Sequence, residues 1–424
     1  MRQFNPLHPR RRDVLRTLAA AGAGAALTGS AMADQNDSLW DTLARNRVLR
    51  NTDREGNTTQ ALDAIDTAEP ILSYDTSYNL DLATRQYEQI VADGGWEQMP
   101  REVFGLIVGN NRPSVSRLKK RLVVSGDLSP NARMNDLFDA DLDMAVRRFQ
   151  ARHGLYVTGK VAEDTYYALN VTADYRLQQL RLNTQRVATM ASSLPEQYVV
   201  VNIPAAAIEA IEGGTVVQRH TAIVGRIDRQ TPILKSKIFQ INFHPYWHVP
   251  KSIIQRDIIK VMKEDPGYLA RYKIRIFDNA GNEIDPATID WNTDEAVQYA
   301  FTQDPGAENA MGNVKIMFYN PYDVYMHDTP EKSLFGENQR FHSSGCVRVD
   351  QVDTLVAWLL KDTDGWDLPA VESEFASGTR LDVNIKNPVP ILTTYITAWA
   401  NRQGTVSFRD DVYNFDGEGK IALL

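Results

Sequence analysis

The chain has 424 residues, of which 43% are hydrophobic and 24% charged, and its formal net charge is −8. That length calls for two or three domains, and the balance excludes both a mainly disordered chain and a polytopic membrane protein. An acidic chain without evident Lys/Arg clusters also excludes nucleic acid as its partner.

Residues 1–33 carry five arginines and one aspartate, a mildly apolar Ala/Gly run from Thr17 to Leu27 and a small-residue end at Ala31-Met-Ala33. This is the pattern of an export signal, and Arg11-Arg-Asp-Val-Leu-Arg16 resembles a twin-arginine signal. Cleavage after Ala33 is expected, with retention as an N-terminal anchor as the alternative. Removal would leave a still more acidic protein.

From 34 to 111 the sequence is polar, with helical pieces at Leu39–Arg50 and Leu80–Val91, and reads as a helical scaffold without chemistry. Residues 112–171 read as three short helices around a small core. Val115, Leu118 and Leu122 share one face, and Leu142, Val146 and Phe149 share another. Ala145-Val-Arg-Arg-Phe-Gln150, His153-Gly-Leu155, Gly159 and Ala168-Leu-Asn170 resemble the small peptidoglycan-binding-like domain of bacterial wall enzymes. A connecting helix is expected within 172–195, closed by Pro195.

Beyond Pro195 the period changes to two. Tyr198–Ile203, Thr215–Val224, Ile238–Phe243, Val314–Phe318 and Val324–His327 read as strands of a mainly β domain spanning 196–390. Residues 251–311 interrupt it. Ile253, Ile254, Ile258, Ile259 and Met262 lie there at helical spacing, and a helical insertion beside active-site strands is either a lid over substrate or a passive subdomain. Residues 391–424 are expected to pack on the β domain or the scaffold. The fold class is therefore α+β.

The chemistry centres on Cys346, the one cysteine of the chain, nineteen residues after His327. A lone thiol has no intramolecular disulfide partner, so it is either a buried, inert side chain or a nucleophile. Val352, Leu355, Val356, Leu359 and Leu360 mark a helix, and with Asp350 as its N-cap, Cys346 would sit just before a helix start that favours thiolate. Gly345 would let the backbone approach a substrate, and His327 would take the thiol proton. Asp328, adjacent on a strand, faces the opposite way, so a backbone carbonyl is the expected partner of the second ring nitrogen. His244 and His248 flank a proline and lack the glutamate of a helical zinc motif, so no metal is expected.

Tyr325-Met-His327 and Phe341-His-Ser-Ser-Gly-Cys-Val-Arg-Val349 resemble the signature of L,D-transpeptidases with a YkuD-type catalytic domain. Where the common pattern has a histidine this chain has Ser344, as in the large periplasmic branch, which leaves His327 as the base. Asn242–Ile253, Met311–Phe318, His327-Asp-Thr-Pro330 and Tyr395–Tyr413 are similar to that branch as well.

The resemblance implies a periplasmic acyltransferase acting on peptidoglycan stem peptides. Cys346 would be the nucleophile, His327 the base and then acid, and the Gly345 and Cys346 amides the oxyanion donors. Arg348 would brace the loop or meet a substrate carboxylate, and Ser344, Ser343, Tyr325 and Trp247 would line the substrate pocket. It further implies a tetrapeptide donor, a diaminopimelate-containing acceptor, a 3-3 cross-link, acylation by carbapenems, no cofactor, a monomeric state, and other cell-wall synthases as partners. Water in place of the acceptor amine would make the protein a carboxypeptidase, and an inactive site would leave a wall-binding scaffold.

Overall fold

The computed structural model describes residues 67–420. The expected signal at 1–33 and the helix at Leu39–Arg50 lie outside that range. Among the described residues no helix is long and apolar enough to cross a membrane.

The strands in chain order are β1 (Gln197–Asn202), β2 (Ala207–Glu212), β3 (Thr215–Gly225), β4 (Leu234–Phe243), β5 (Trp247–His248), β6 (Ile274–Phe277), β7 (Glu283–Ile284), β8 (Ala300–Gln303), β9 (Val314–Phe318), β10 (Met326–His327), β11 (Phe341–Ser343), β12 (Val347–Val349), β13 (Leu381–Thr394), β14 (Ala398–Ala400) and β15 (Val406–Phe408). Nine of them form one sheet in the order β11-β3-β12-β10-β9-β4-β13-β1-β2, and a further β2–β3 pairing closes it on itself. The alternation explains the closure. Val199, Val201, Ile241, Phe243, Val314, Ile316, Met326, Val347 and Val349 point inward and are buried with helix Val352–Leu360.

β1 is apolar on both faces. Its other side, with Tyr198 and Val200, packs under helices Tyr74–Ala92 and Ala173–Ala191 and the β14–β15 hairpin. Helix Ala173–Ala191, expected as a connection, is thus a structural layer. Ser73 and Thr172 begin these two helices by accepting the amides of Thr76 and Tyr175. The C-terminal segment serves both cores: Ile396, Ala398 and Phe408 join the helical one, while Tyr395 and Tyr413 join the sheet. Arg186, fully buried, ties it down through Asp416 and the Lys420 carbonyl.

Residues 99–169 enclose a separate core of Leu118, Leu122, Leu142, Val146 and Phe149, as the periodicity predicts. It is built by helices Pro113–Val124, Ala140–Arg152 and Glu163–Leu169.

The insertion differs from expectation. It is not merely helical: β5, β8, β6 and β7 form a four-stranded sheet with its own core, which includes Ile254, Ile258, Met262, Ile276 and Phe301. A π turn at Ile254–Ile258 breaks the helical run, and the extra residue it accommodates brings both Ile258 and Ile259 to the buried side.

Candidate active site

Pairing register builds the site. β10 lies between β9 and β12, with His327 opposite Lys315 on one side and opposite Arg348 on the other. Directly opposed residues share a face. Since Met326, Ile316 and Val347 fill the core, His327, Lys315 and Arg348 stand on the outer face, and Tyr325 and Cys346 extend it one row back. The Val347 amide, donating to the Tyr325 carbonyl at 3.0 Å, holds that second row together.

The imidazole of His327 is buried, and its Nδ1 donates to the backbone carbonyl of Asp328 at 2.5 Å. That leaves Nε2 as the basic nitrogen. The Asp328 carboxylate turns away, as strand alternation requires: it accepts the Asn313 amide at 2.9 Å and pairs with Lys332. Gly312 is needed here, since its φ is +56° and a Cβ would stand 2.4 Å from that carboxylate. Burial, reinforced by Arg348, pushes the His327 pKa down to about 3, against the lift from its bond to Asp328. Burial likewise raises the Cys346 thiol, while hydrogen bonding from Tyr325 and the charges of Lys315 and Arg348 draw it back. The resting pair is a neutral thiol and a neutral base.

The cysteine loop departs from expectation in three ways. Asp350 is no N-cap: helix Val352–Leu360 begins after Gln351 in a left-handed conformation, and β12 separates it from Cys346, so its dipole does not act on the thiol. Gly345 has a φ of +116°, in the region that favours glycine, and a Cβ there would meet no protein atom nearer than 3.5 Å. Its amide donates to Ser343 Oγ at 3.1 Å, so it is already engaged. Ser343 itself is buried and its hydroxyl donates to the Cys346 carbonyl, which makes it a brace of the turn and not a wall of the pocket.

Ser344 is exposed, and its Oγ accepts from Arg229 at 2.9 Å. Arg229 also grips Asp257 in the insertion with both terminal nitrogens, so three separate segments meet beside the thiol. Thr231 closes the loop from behind. Its hydroxyl donates to the Gly345 carbonyl at 2.9 Å and accepts the Gly225 amide at 2.8 Å, and its own amide donates to Tyr413 Oη. Arg348 pairs with Glu331, and its buried Nε has no partner among the described residues. Tyr325 is buried, its ring 5.7 Å from that of His327, and donation from Trp247 partly offsets the burial that raises its phenol. Trp247 is half-buried against the insertion core.

His244 and His248 bind different partners, the Glu374 carbonyl and the Thr302 hydroxyl. Among the described residues no three His, Cys, Asp or Glu side chains are placed to hold a metal ion. Sequence reasoning did not single out Lys315, Arg229, Asp257, Thr231 or Tyr413. Only Lys315 carried a local signal, a charge alternating with the inward-facing Val314 and Ile316.

Residues 196–403 match the L,D-transpeptidase catalytic domain of the YkuD family, and residues 111–169 match a "Putative peptidoglycan binding domain". A Haemophilus influenzae protein described as a "Putative L,D-transpeptidase" is 34% identical over 250 residues, 58% of this chain and 50% of that protein. The chain therefore spans about half the length of that curated relative. Among solved structures, an L,D-transpeptidase fragment from Xylanimonas cellulosilytica is 13% identical, covering 69% of this chain and 98% of its own, with a TM-score of 0.22. One from Mycobacterium smegmatis is 14% identical, covering 47% and 58%, with a TM-score of 0.24. Scores this low add nothing to the sequence matches. On those matches, the chain joins a catalytic domain of the YkuD L,D-transpeptidase family to a peptidoglycan-binding domain.

Proposed function

We propose that the protein is a cysteine acyltransferase that forms 3-3 cross-links between peptidoglycan stem peptides in the periplasm. The observation that carries this reading is the outer-face juxtaposition of Cys346, immediately before β12, with His327 on the adjoining parallel strand β10, His327 Nδ1 being committed to a carbonyl and Nε2 left basic.

His327 Nε2 takes the proton as Cys346 Sγ attacks the carbonyl of the third residue of a tetrapeptide stem. The Cys346 amide, with Ser344 beside it, faces the developing oxyanion. The C–N bond breaks, His327 returns the proton to the leaving amine, and D-alanine departs from a thioester. The side-chain amine of an acceptor diaminopimelate then gives its proton to His327 and forms the new amide, and the thiol is regenerated. Ser344 contacts the stem peptide, Arg348 braces the loop through Glu331, Tyr325 and Trp247 wall the thiol, and the 111–169 domain keeps the enzyme on its polymer. A thiol of this kind is also open to acylation by carbapenems.

The full chain, incubated with tetrapeptide-bearing muropeptides and resolved by mass, is expected to yield dimers and free D-alanine, and the Cys346→Ala variant neither. Shortened monomers alone would replace this reading by a carboxypeptidase. Dimers from Cys346→Ala would remove the nucleophile assignment, and sedimentation with purified sacculi by an inactive wild type would leave a binding scaffold.

A further inference from the structure

Asp382 on β13, Asn242 on β4, Lys315 on β9, His327 on β10 and Arg348 on β12 stand in register as one row across five strands. Most of that row is already spoken for. Asp382 accepts from Asn242 at 2.8 Å and pairs with Arg380, and Arg348 pairs with Glu331. Lys315 is different. Its ammonium lies 3.9 Å from the centre of the Tyr325 ring, half-buried, and among the described residues no carboxylate stands within ion-pair distance of it. The stacking holds the charge against Tyr325, which shares the next row with Cys346 and whose ring packs edge-on against that of His327.

A half-buried ammonium held over an aromatic ring without a counter-ion has lost water and gained no anion. Burial depresses its pKa, and the charges that oppose this are those of Cys346, Asp323 and Asp382. The chemistry of the row supplies the missing anion. In the acyl-transfer reading on which this inference rests, His327 must protonate the nitrogen of the scissile amide. In a donor whose last residue is the leaving amino acid, the free α-carboxylate is two covalent bonds from that nitrogen. It must fall beside His327, on the β9 or the β12 flank, and facing residues there are about 4.5–5.5 Å apart. On the β12 flank Arg348 is occupied by Glu331; on the β9 flank Lys315 is open.

We propose that Lys315 receives the α-carboxylate of the terminal amino acid of the donor stem, and so selects donors that end one residue beyond the bond Cys346 attacks. A donor extended by another residue has an amide at that place, and one capped as a carboxamide has no charge. Either would leave the ammonium without its anion.

The experiment compares the full chain and its Lys315→Met, Lys315→Gln and Lys315→Arg variants, with acyl-enzyme formation followed by intact mass. Two donors are used: a tetrapeptide stem with a free terminal carboxylate and the same stem as a terminal carboxamide. The readout is the ratio of the two second-order acylation rates. Wild type is expected to favour the carboxylate by roughly 10- to 100-fold, the range for a hydrogen-bonded charge pair. Lys315→Met and Lys315→Gln are expected to bring that ratio to within about threefold of unity, and Lys315→Arg to keep most of it. A merely structural lysine would lower both rates and leave the ratio intact, which overturns the assignment. So would a wild type indifferent to the carboxylate, while the transpeptidase reading stood. A wild type acylated by neither donor overturns the transpeptidase reading and this assignment with it.

Discussion

Charged side chains are treated in opposite ways in the two domains. In the 111–169 domain three buried cations each meet a carboxylate. Arg152 meets Asp127 through two bonds of 2.6 Å, Arg147 meets Asp143 at 2.7 Å, and Lys119 meets Asp139 at 2.7 Å. Arg121, whose pKa burial lowers to about 9, has no carboxylate partner among the described residues; it lies over Trp96 and donates to the Leu169 carbonyl through Nε, while its Nη1 has no partner there. On the outer face of β9, β10 and β12 the pattern differs: His327 is buried as a neutral base and Lys315 has no anion among the described residues, while Arg348 is held by Glu331. Paired charges fix a shape, and groups held without partners are available to a substrate.

The contrast predicts opposite outcomes for removing one residue from each region. His327→Gln is expected to lower acylation of Cys346 by a factor of about 10³ or more, while the melting temperature stays within a few degrees of wild type. Asp127→Ala strands the buried Arg152 and is expected to cost about 3–5 kcal/mol of stability. Among molecules that remain folded, it leaves the acylation rate unchanged. Calorimetry paired with intact-mass kinetics separates the two. A His327 variant that unfolds but keeps its chemistry when cooled would erase the distinction.

pH sharpens the same comparison. His327 has its pKa at about 3 in the fold against 6.5 for an unhindered imidazole. Between those values the unfolded chain binds the proton that the folded chain refuses, so stability is complete above 6.5 and drains away as pH falls toward 3. His153 in the binding domain, buried beside Arg152 and Arg176, is lowered in the same direction and adds to the loss. Activity should behave differently. With the thiol raised by burial, alkylation of Cys346 by iodoacetamide should climb through a midpoint above the ordinary thiol value, without a step near 6.5. Lys315→Met should move that midpoint further up, because it removes a charge that favours thiolate. A midpoint at or below the ordinary value in wild type would contradict the neutral resting pair.

The strands that bear the base were legible because their inward residues alternate with polar ones, and Cys346 was legible because a single cysteine stood in a distinctive run. β13 was not. It carries Pro388 and Pro390, which speak against a central strand; Pro388 falls where the register with β4 shifts between Asn384 and Val389, and Pro390 lies opposite Lys237 just beyond that shift. The expected helix start at Asp350 failed because the three residues of β12 are too short for a period-two signal, although the amide of Asp350 is held by the Thr221 carbonyl at the end of that pairing. Arg229 and Thr231 reach the cysteine loop from 115 and 114 residues away in the chain, and Tyr413 backs Thr231 from further along it. No local pattern encodes such contacts.

The smallest effect predicted belongs to the Arg229–Asp257 contact, and it decides how the insertion relates to the site. Arg229 is largely covered and Asp257 is over a third exposed, so the pair contributes less than about 1 kcal/mol to folding. Its position gives it more leverage than its energy, because the same guanidinium holds Ser344 beside the thiol and the first helical turns of the insertion. Asp257→Asn keeps the shape and removes the charge. If the insertion closes over substrate through this contact, the variant should raise KM several-fold with little change in kcat, and limited proteolysis should cut faster within 251–311. If the insertion is a passive subdomain, neither measurement moves, and Arg229→Met should affect only the exposed Ser344 side of the loop. Lid and passenger thus predict different results from one conservative change on the face of the insertion that meets the cysteine loop.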